Sequence, residues 1–419
     1  MQPLFTQLLK LDGITVEDYC DLGEELVLTV EAQTSNATCP RCGQLSKNTH
    51  QNHFHLARDL SFGERKVLLK YNRRQFKCHE CKKPFSEPLN FIGERRRYTN
   101  RFAEMIVKQV IHSDTHNVAK NNGLTDDEVW SMVEYVSQKK WSLELIGLKR
   151  LGIAESFRLG SPAKEKTQAD EIALKKGQGD YITVLVDLDK QELIDLVKLR
   201  QHKDIKEVLE GWSSEVLDRI QEVSIDMSGN YRNLVKSCLP NAEIVADRFH
   251  VAKLLGDELN RARNHEKRAI DKIEDKAEQE KLKAVLSNSK YALLKPVENL
   301  TDNQKIKLGE IKKALPMLAQ MHRQKEALRD IFETATSGTD GMFKIAAWMR
   351  KSQEIFKDSV GTIGRWFGEI TNYFESRTTS GTVEGINNKL KLIKRSGYGF
   401  RNFANFRLRC LICWRLSIS

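Results

Sequence analysis

No apolar run in this chain is longer than Tyr181–Leu188, which is far too short to cross a bilayer. Residues 1–12 lack a basic start followed by an extended apolar core, so no secretory signal is expected and a reducing, cytoplasmic location is predicted. Neither an internal repeat nor a low-complexity tract is present. Cysteine is scarce, eight in 419 residues, and four of these form two tight pairs that need another explanation than disulfides. Acidic residues are outnumbered: 68 Lys and Arg against 57 Asp and Glu leave a formal net charge of +11. A surplus of that size favours nucleic acid as partner, with ribosomal or membrane-surface binding as the other readings of the charge. The length suits roughly two to four domains.

The paired cysteines come first among the features present. Cys39 and Cys42, then Cys78 and Cys81, are two C-x2-C knuckles, each able to place two thiolates on one tetrahedral zinc. Four closed ligands leave no position for water, so one structural Zn2+ is expected, with His50, His53 or His55 as alternative ligands. Residues 54–56 and 66–77 read as strands of a zinc ribbon, the second carrying Arg73, Arg74 and Lys77 towards DNA. Cys410 and Cys413 repeat the spacing without a second pair and read as buried helix surface.

A helical stretch over 102–111 is followed by residues 117–130, where the small Ala119, the turn Gly123 and the buried-type Leu124 have the rhythm of a helix-turn-helix. Thr125 and Glu128 form a capping box for the next helix. That helix begins with three acids, Asp126 to Glu128, which repel phosphates, so Arg95, Arg96 and Arg97, with Lys139, Lys140, Lys149 and Arg150, are the better backbone contacts.

From Asp170 the pattern changes to strands, over 169–175, 181–189 and 192–200, then a helix over 204–220, then a fourth strand ending in Asp226. Three strands, a helix and a strand ending in an acid are the order of an RNase H-like domain, in which the first and fourth strands lie side by side. Asp170 and Asp226 would then converge. Glu384 stands at the head of a basic helix. At about 100° per residue Glu384, Asn388, Lys391 and Arg395 share one stripe, with Ile386, Leu390 and Ile393 opposite. Thr382 is a candidate cap and Gly397 or Gly399 a candidate end. The rival reading makes Glu384 a complement to the helix dipole, worth a few tenths of a kcal/mol. Asp247, after a short strand at 243–246, pairs in sequence with His250 and is the less favoured alternative to Asp226; both suit a role beside the metal ligands. Asp187, Asp189 and Asp195 read as solvated or turn positions. Residues 251–372 read as a densely charged helical insertion, either a solvated hairpin or a DNA-contacting element, with Trp348 and Trp366 as packing residues.

The Cys39 to Cys42 knuckle, the segments at 170–177, 225–231 and 246–251, and the helix over 384–400 together resemble the ISL-three-type insertion-sequence transposases, a DDE family, over nearly the whole chain. The resemblance implies a multidomain α/β protein: a zinc ribbon (1–92), a helix-turn-helix domain (93–160), an RNase H-like mixed-sheet core (161–250 and 373–419), and an all-helical insertion (251–372). It implies Asp170, Asp226 and Glu384 as a triad holding two Mg2+ or Mn2+. It further implies double-stranded DNA as substrate, both terminal inverted repeats and target, a homodimer or higher oligomer in the synaptic complex, and a bacterial, nucleoid-associated setting. The alternatives are an RNase H-like nuclease that cuts without joining and a domesticated DNA-binding regulator.

Overall fold

The structure, a computed structural model, describes residues 2–140, 145, 147–158, 181–198, 201–378, 381–397, 400 and 402–415. The chain divides into two compact units, residues 1–142 with 396–398 and 404–419, and residues 143–395 with 399–403.

The first unit opens with α1 (Gln2–Leu9), β1 (Ile14–Asp21) and β2 (Glu25–Ala32). The short β3 (Ala37–Thr38), β4 (Leu45–Ser46) and β5 (Thr49–Gln51) follow, then β6 (Phe54–Phe62), β7 (Arg65–Asn72), β8 (Gln75–Lys77) and β9 (Pro84–Ser86). Strands β1-β2-β7-β6 make one sheet, and β3-β4 and β5-β8-β9 make two smaller ones. The expected zinc-ribbon strands at 54–56 and 66–72 thus belong to a different sheet. The reason is alternation: Leu26, Leu28 and Val30 of β2 and Val67, Leu69 and Tyr71 of β7 bury one face in an apolar core of their own.

Helices α2 (Asn100–His112), α3 (Thr115–Asn122) and α4 (Asp126–Lys140) pack around Phe102, Ile106, Ala119 and Val133. Gly123 ends α3 at φ 61°, a left-handed position that glycine takes without strain. The capping box forms as expected, Glu128 N–H donating to Thr125 Oγ1 at 3.2 Å and Thr125 N–H to the Glu128 carboxylate at 2.8 Å. Residues 404–419 group with this unit and not with the second. In their helix, Ile412 joins the three-helix core, Arg409 donates to the Ser113 carbonyl at 2.8 Å, and Cys410 and Cys413 are buried.

Asp59 on β6 is fully buried and accepts from Thr99 Oγ1 at 2.6 Å and from Arg101 Nε at 2.8 Å, with a second bond from the same guanidinium. Since Thr99 caps α2, this carboxylate ties the sheet to the helices. Asp59→Ala strands Arg101, and a loss on the order of 3 kcal/mol is expected, read as a Tm drop of roughly 6 to 12 °C. A loss below about 1 kcal/mol in thermal or urea unfolding would mean that water replaces the carboxylate.

The second unit contains a five-stranded sheet of β10 (Arg150–Arg158), β11 (Tyr181–Asp187), β12 (Glu192–Val197), β13 (Glu222–Ile225) and β14 (Glu243–Ala246), in the order β12-β11-β10-β13-β14. β10 is central, antiparallel to β11 and parallel to β13. Residues 150–158, expected to end the helix-turn-helix domain, are therefore the middle of the core sheet. The strand expected at 169–175, and with it Asp170, lies outside the described residues. Helices α5 (His202–Glu210), α6 (Ser214–Arg219) and α7 (Gly229–Cys238) follow the third and fourth core strands.

The insertion is a helical body rather than a hairpin. It comprises α8 (Arg248–Ile270), α9 (Lys276–Leu286), α10 (Ser289–Leu294), α11 (Asp302–Ala314), α12 (Pro316–Thr334), α13 (Gly338–Ser352), α14 (Lys357–Arg365) and α15 (Phe367–Ser376). One apolar core runs from Leu151, Ile153 and Ile225 of the sheet to Leu255, Leu318 and Phe332 of these helices. Both tryptophans are packing residues, as expected. Trp348 is buried and donates to the Gln324 carbonyl at 2.8 Å, and Trp366 lies beneath the Arg232 guanidinium at 3.7 Å. No helix among the described residues is long and apolar enough to cross a membrane.

Candidate active site and metal centre

The last helix of the second unit, α16 (Gly381–Ser396), buries Val383, Ile386, Leu390 and Ile393 and exposes Glu384, Asn388, Lys391 and Arg395, the two stripes that its period predicts. It begins one residue ahead of Thr382, so Thr382 sits in the first turn and not at the cap. Gly152 on the central strand explains how closely this helix approaches. A Cβ there would meet Leu188 at 3.0 Å and Val383 at 3.4 Å, and its absence seats Val383, and so its neighbour Glu384, against the sheet.

Beside that contact opens a cleft of about 1070 Å³, lined by Glu155, Asp226, Asp247, His250, Glu384, Asn387, Asn388 and Lys391 among others. Asp226 follows the end of β13 and Asp247 the end of the adjacent parallel strand β14. The two aspartates differ in occupation. Asp247 caps α8, accepting the Phe249 N–H at 3.0 Å on one oxygen, while its other oxygen meets His250 Nδ1 at 2.8 Å. Asp226 Oδ1 is buried with no hydrogen-bond partner among the described residues, and so is Asn387 Oδ1 on α16. Two orphaned hard oxygens in one cleft are costly unless a donor or a cation meets them.

Electrostatics point the same way. Burial pushes the Asp226 carboxyl up to about 6; the Glu155 and Asp247 charges add to this, while His250 and the Ser228 amide oppose it. The hydrogen bond to Asp247 raises the His250 pKa, against the effect of burial. Crowded, partly desolvated carboxyls of this kind are what a divalent cation would relieve, so the residues present fit such a cation. Glu155 escaped the sequence reading because 150–158 shows no long β-branched run; only its alternation of Leu151 and Ile153 with small residues marked a strand.

In the first unit the four sulfurs of Cys39, Cys42, Cys78 and Cys81 lie within 4.8 Å of one another. A zinc tetrahedron with bonds of about 2.3 Å has edges of ~3.8 Å, which suits this cluster. Each knuckle is a turn closed by backbone bonds, Cys39 N–H to Gln44 O at 2.8 Å and Cys78 N–H to Lys83 O at 3.1 Å. The Arg41 backbone N–H draws the Cys39 thiol down to about 7, whereas the bond to Cys42 pushes Cys81 up to about 12. None of His50, His53 and His55 belongs to the cluster.

The basic residues expected to face DNA divide into two groups. Arg74 is tied to the buried Glu87, its Nε donating at 2.8 Å, and Arg96 donates to Ser131 Oγ at 2.7 Å with its guanidinium 5.0 Å from the Tyr135 ring. Arg73 is partly buried and donates to the Gly93 carbonyl at 3.3 Å. These three hold their own unit together. Lys77, Arg95 and Arg97 are exposed. Of the remaining acids, Asp189 pairs with Arg150 at 2.5 Å. Asp187 and Asp195 are buried and not solvated, Asp187 accepting the Asp189 and Lys190 amides in the β11–β12 turn and Asp195 accepting the Leu196 amide.

Residues 168–410 match the DDE-domain family of ISL3 type, described as Transposase. Residues 35–81 match the zinc-finger of transposase IS204/IS1001/IS1096/IS1165, and residues 87–137 the helix-turn-helix domain of transposase family ISL3. The chain is similar to the transposase for insertion sequence element IS1001 of Bordetella parapertussis, 25% identical over 403 residues that cover 93% of this chain and 91% of the relative. It is also similar to the transposase for IS1557 of Mycobacterium tuberculosis, 28% identical over 254 residues, 56% of each chain.

Proposed function

Since the chain belongs to transposase family ISL3, we propose that it binds the terminal inverted repeats of an insertion sequence and cuts and joins DNA at a site for two divalent cations. The observation that carries this reading is the buried Asp226 Oδ1, without a hydrogen-bond partner among the described residues, in a cleft shared with Glu384. Asp226 and Glu384, with a third carboxylate, are the residues that would hold Mg2+ or Mn2+. Bound there, such cations supply charge stabilisation at phosphorus and an activated attacking oxygen.

The protein's own groups do the rest. Asp247 fixes the His250 ring so that its free face serves the cleft. Asn388, Lys391 and Arg395, on the exposed stripe of α16, hold phosphates beside Glu384. In the first unit Lys77, Arg95 and Arg97 contact the duplex backbone, and the helix-turn-helix orients the terminal repeat. A homodimer or higher oligomer brings two ends together. The zinc of the ribbon is structural.

The test is a magnesium-dependent assay on duplex carrying the element's own ends, scoring nicks and joined products separately. Nicking and joining are both expected. Nicking without joining would point to a nuclease, and binding with neither to a regulator. In the same assay Asp226→Asn is expected to lose ~10³-fold or more, whereas Asp247→Asn, which keeps its cap and weakens its hold on His250, is expected to lose ~10- to 100-fold. Full activity of Asp226→Asn would reverse the assignment of the two aspartates.

A further inference from the structure

We propose that Glu155, and not Asp170, supplies the third carboxylate of the cation site; this rests on the metal-dependent reading above. An acid that works with Asp226 has to stand on the strand beside β13, and that strand is β10. The parallel ladder pairs Ile153 with Ile225, so one residue further along each strand Ala154 comes level with Asp226. Ala154 offers no ligand atom. Glu155 is next, lines the same cleft as Asp226 and Glu384, and carries the hard oxygen that Mg2+ and Mn2+ prefer.

The sheet itself is irregular at this point. β10 pairs regularly with β11 from Leu151 opposite Asp187 to Glu155 opposite Thr183, and the register then shifts before Arg158 meets Tyr181. Irregularities of this kind bend a strand and re-aim its side chains, and they recur beside active sites. The longer glutamate side chain also offsets part of the one-residue displacement from the level of Asp226. The match to the family's DDE domain begins at residue 168, beyond the strand's end at Arg158.

The assignment is tested on the full-length chain by Mn2+ titration, with free Mn2+ read by electron paramagnetic resonance and folding by thermal melting. Glu155→Gln is expected to weaken Mn2+ binding at least ~10-fold with an unchanged melting temperature, and Glu155→Asp to recover part of the loss. Asp170→Asn is expected to bind within about twofold of wild type, since it lies outside the ligand set. A tenfold loss in Asp170→Asn, or wild-type binding by Glu155→Gln, would overturn the assignment. Failure of wild type to bind Mn2+ at all would instead strike the two-cation reading, and the assignment with it.

Discussion

Glu384→Gln is expected to abolish strand cleavage, by ~10³-fold or more, while binding to terminal-repeat duplex stays within about threefold of wild type. The size follows from what is removed. A carboxylate opposite a cation contributes several kcal/mol to the transition state, and each 1.36 kcal/mol is about a factor of ten in rate. Little else should change, because the side chain is exposed on α16 and the helix is held by Val383, Ile386, Leu390 and Ile393. The rival reading, in which Glu384 only complements the helix dipole, predicts a stability loss of a few tenths of a kcal/mol and no effect on cleavage. Single-turnover nicking of labelled duplex decides between them: a variant keeping more than a tenth of the wild-type rate would leave the dipole as its only role.

Loss of zinc is expected to have the largest effect on the first unit. Cys39 and Cys78 are buried, and among the described residues the apolar side chains that cluster with the cysteines are Ala37, Phe76 and Phe85. So small a cluster cannot order its own loops, and structural zinc contributes about 10–16 kcal/mol of apparent binding free energy in comparable sites. Cys78→Ser, or a strong chelator, is expected to unfold the two small sheets β3-β4 and β5-β8-β9 and to lower affinity for duplex ends at least tenfold. The β1-β2-β7-β6 sheet and the α2–α4 bundle, which bury separate cores, are expected to persist. Hydrogen exchange resolves the two regions. Full protection of residues 37–51 and 75–86 in zinc-free protein would show that the ribbon folds without metal.

Much of the candidate site was legible because its signals are local. The two stripes of α16 follow from a 3.6-residue period, the knuckles from a C-x2-C spacing, and the Thr125 to Glu128 cap from a separation of three residues. Each depends on neighbours within a turn or two. The third carboxylate was another matter. Asp170 stood out by family resemblance, but which acid joins Asp226 depends on strand pairing, and among the described residues two strands and two helices separate β10 from β13 in sequence.

The same division runs through the whole chain. From the sequence alone came the basic charge balance, the two cysteine pairs that cluster, the helical insertion, the buried tryptophans and the exposed face that carries Glu384. Charge balance, spacing and periodicity are properties of the chain itself. Tertiary structure alone decided that Arg74 and Arg96 are bound within their own unit, that residues 66–72 leave the ribbon for another sheet, that the final helix joins the first unit, and that Glu155 lines the cleft. Those outcomes depend on which distant groups become buried together. A buried charge takes whichever partner the fold brings to it, and a strand takes its place from the ladders on both sides.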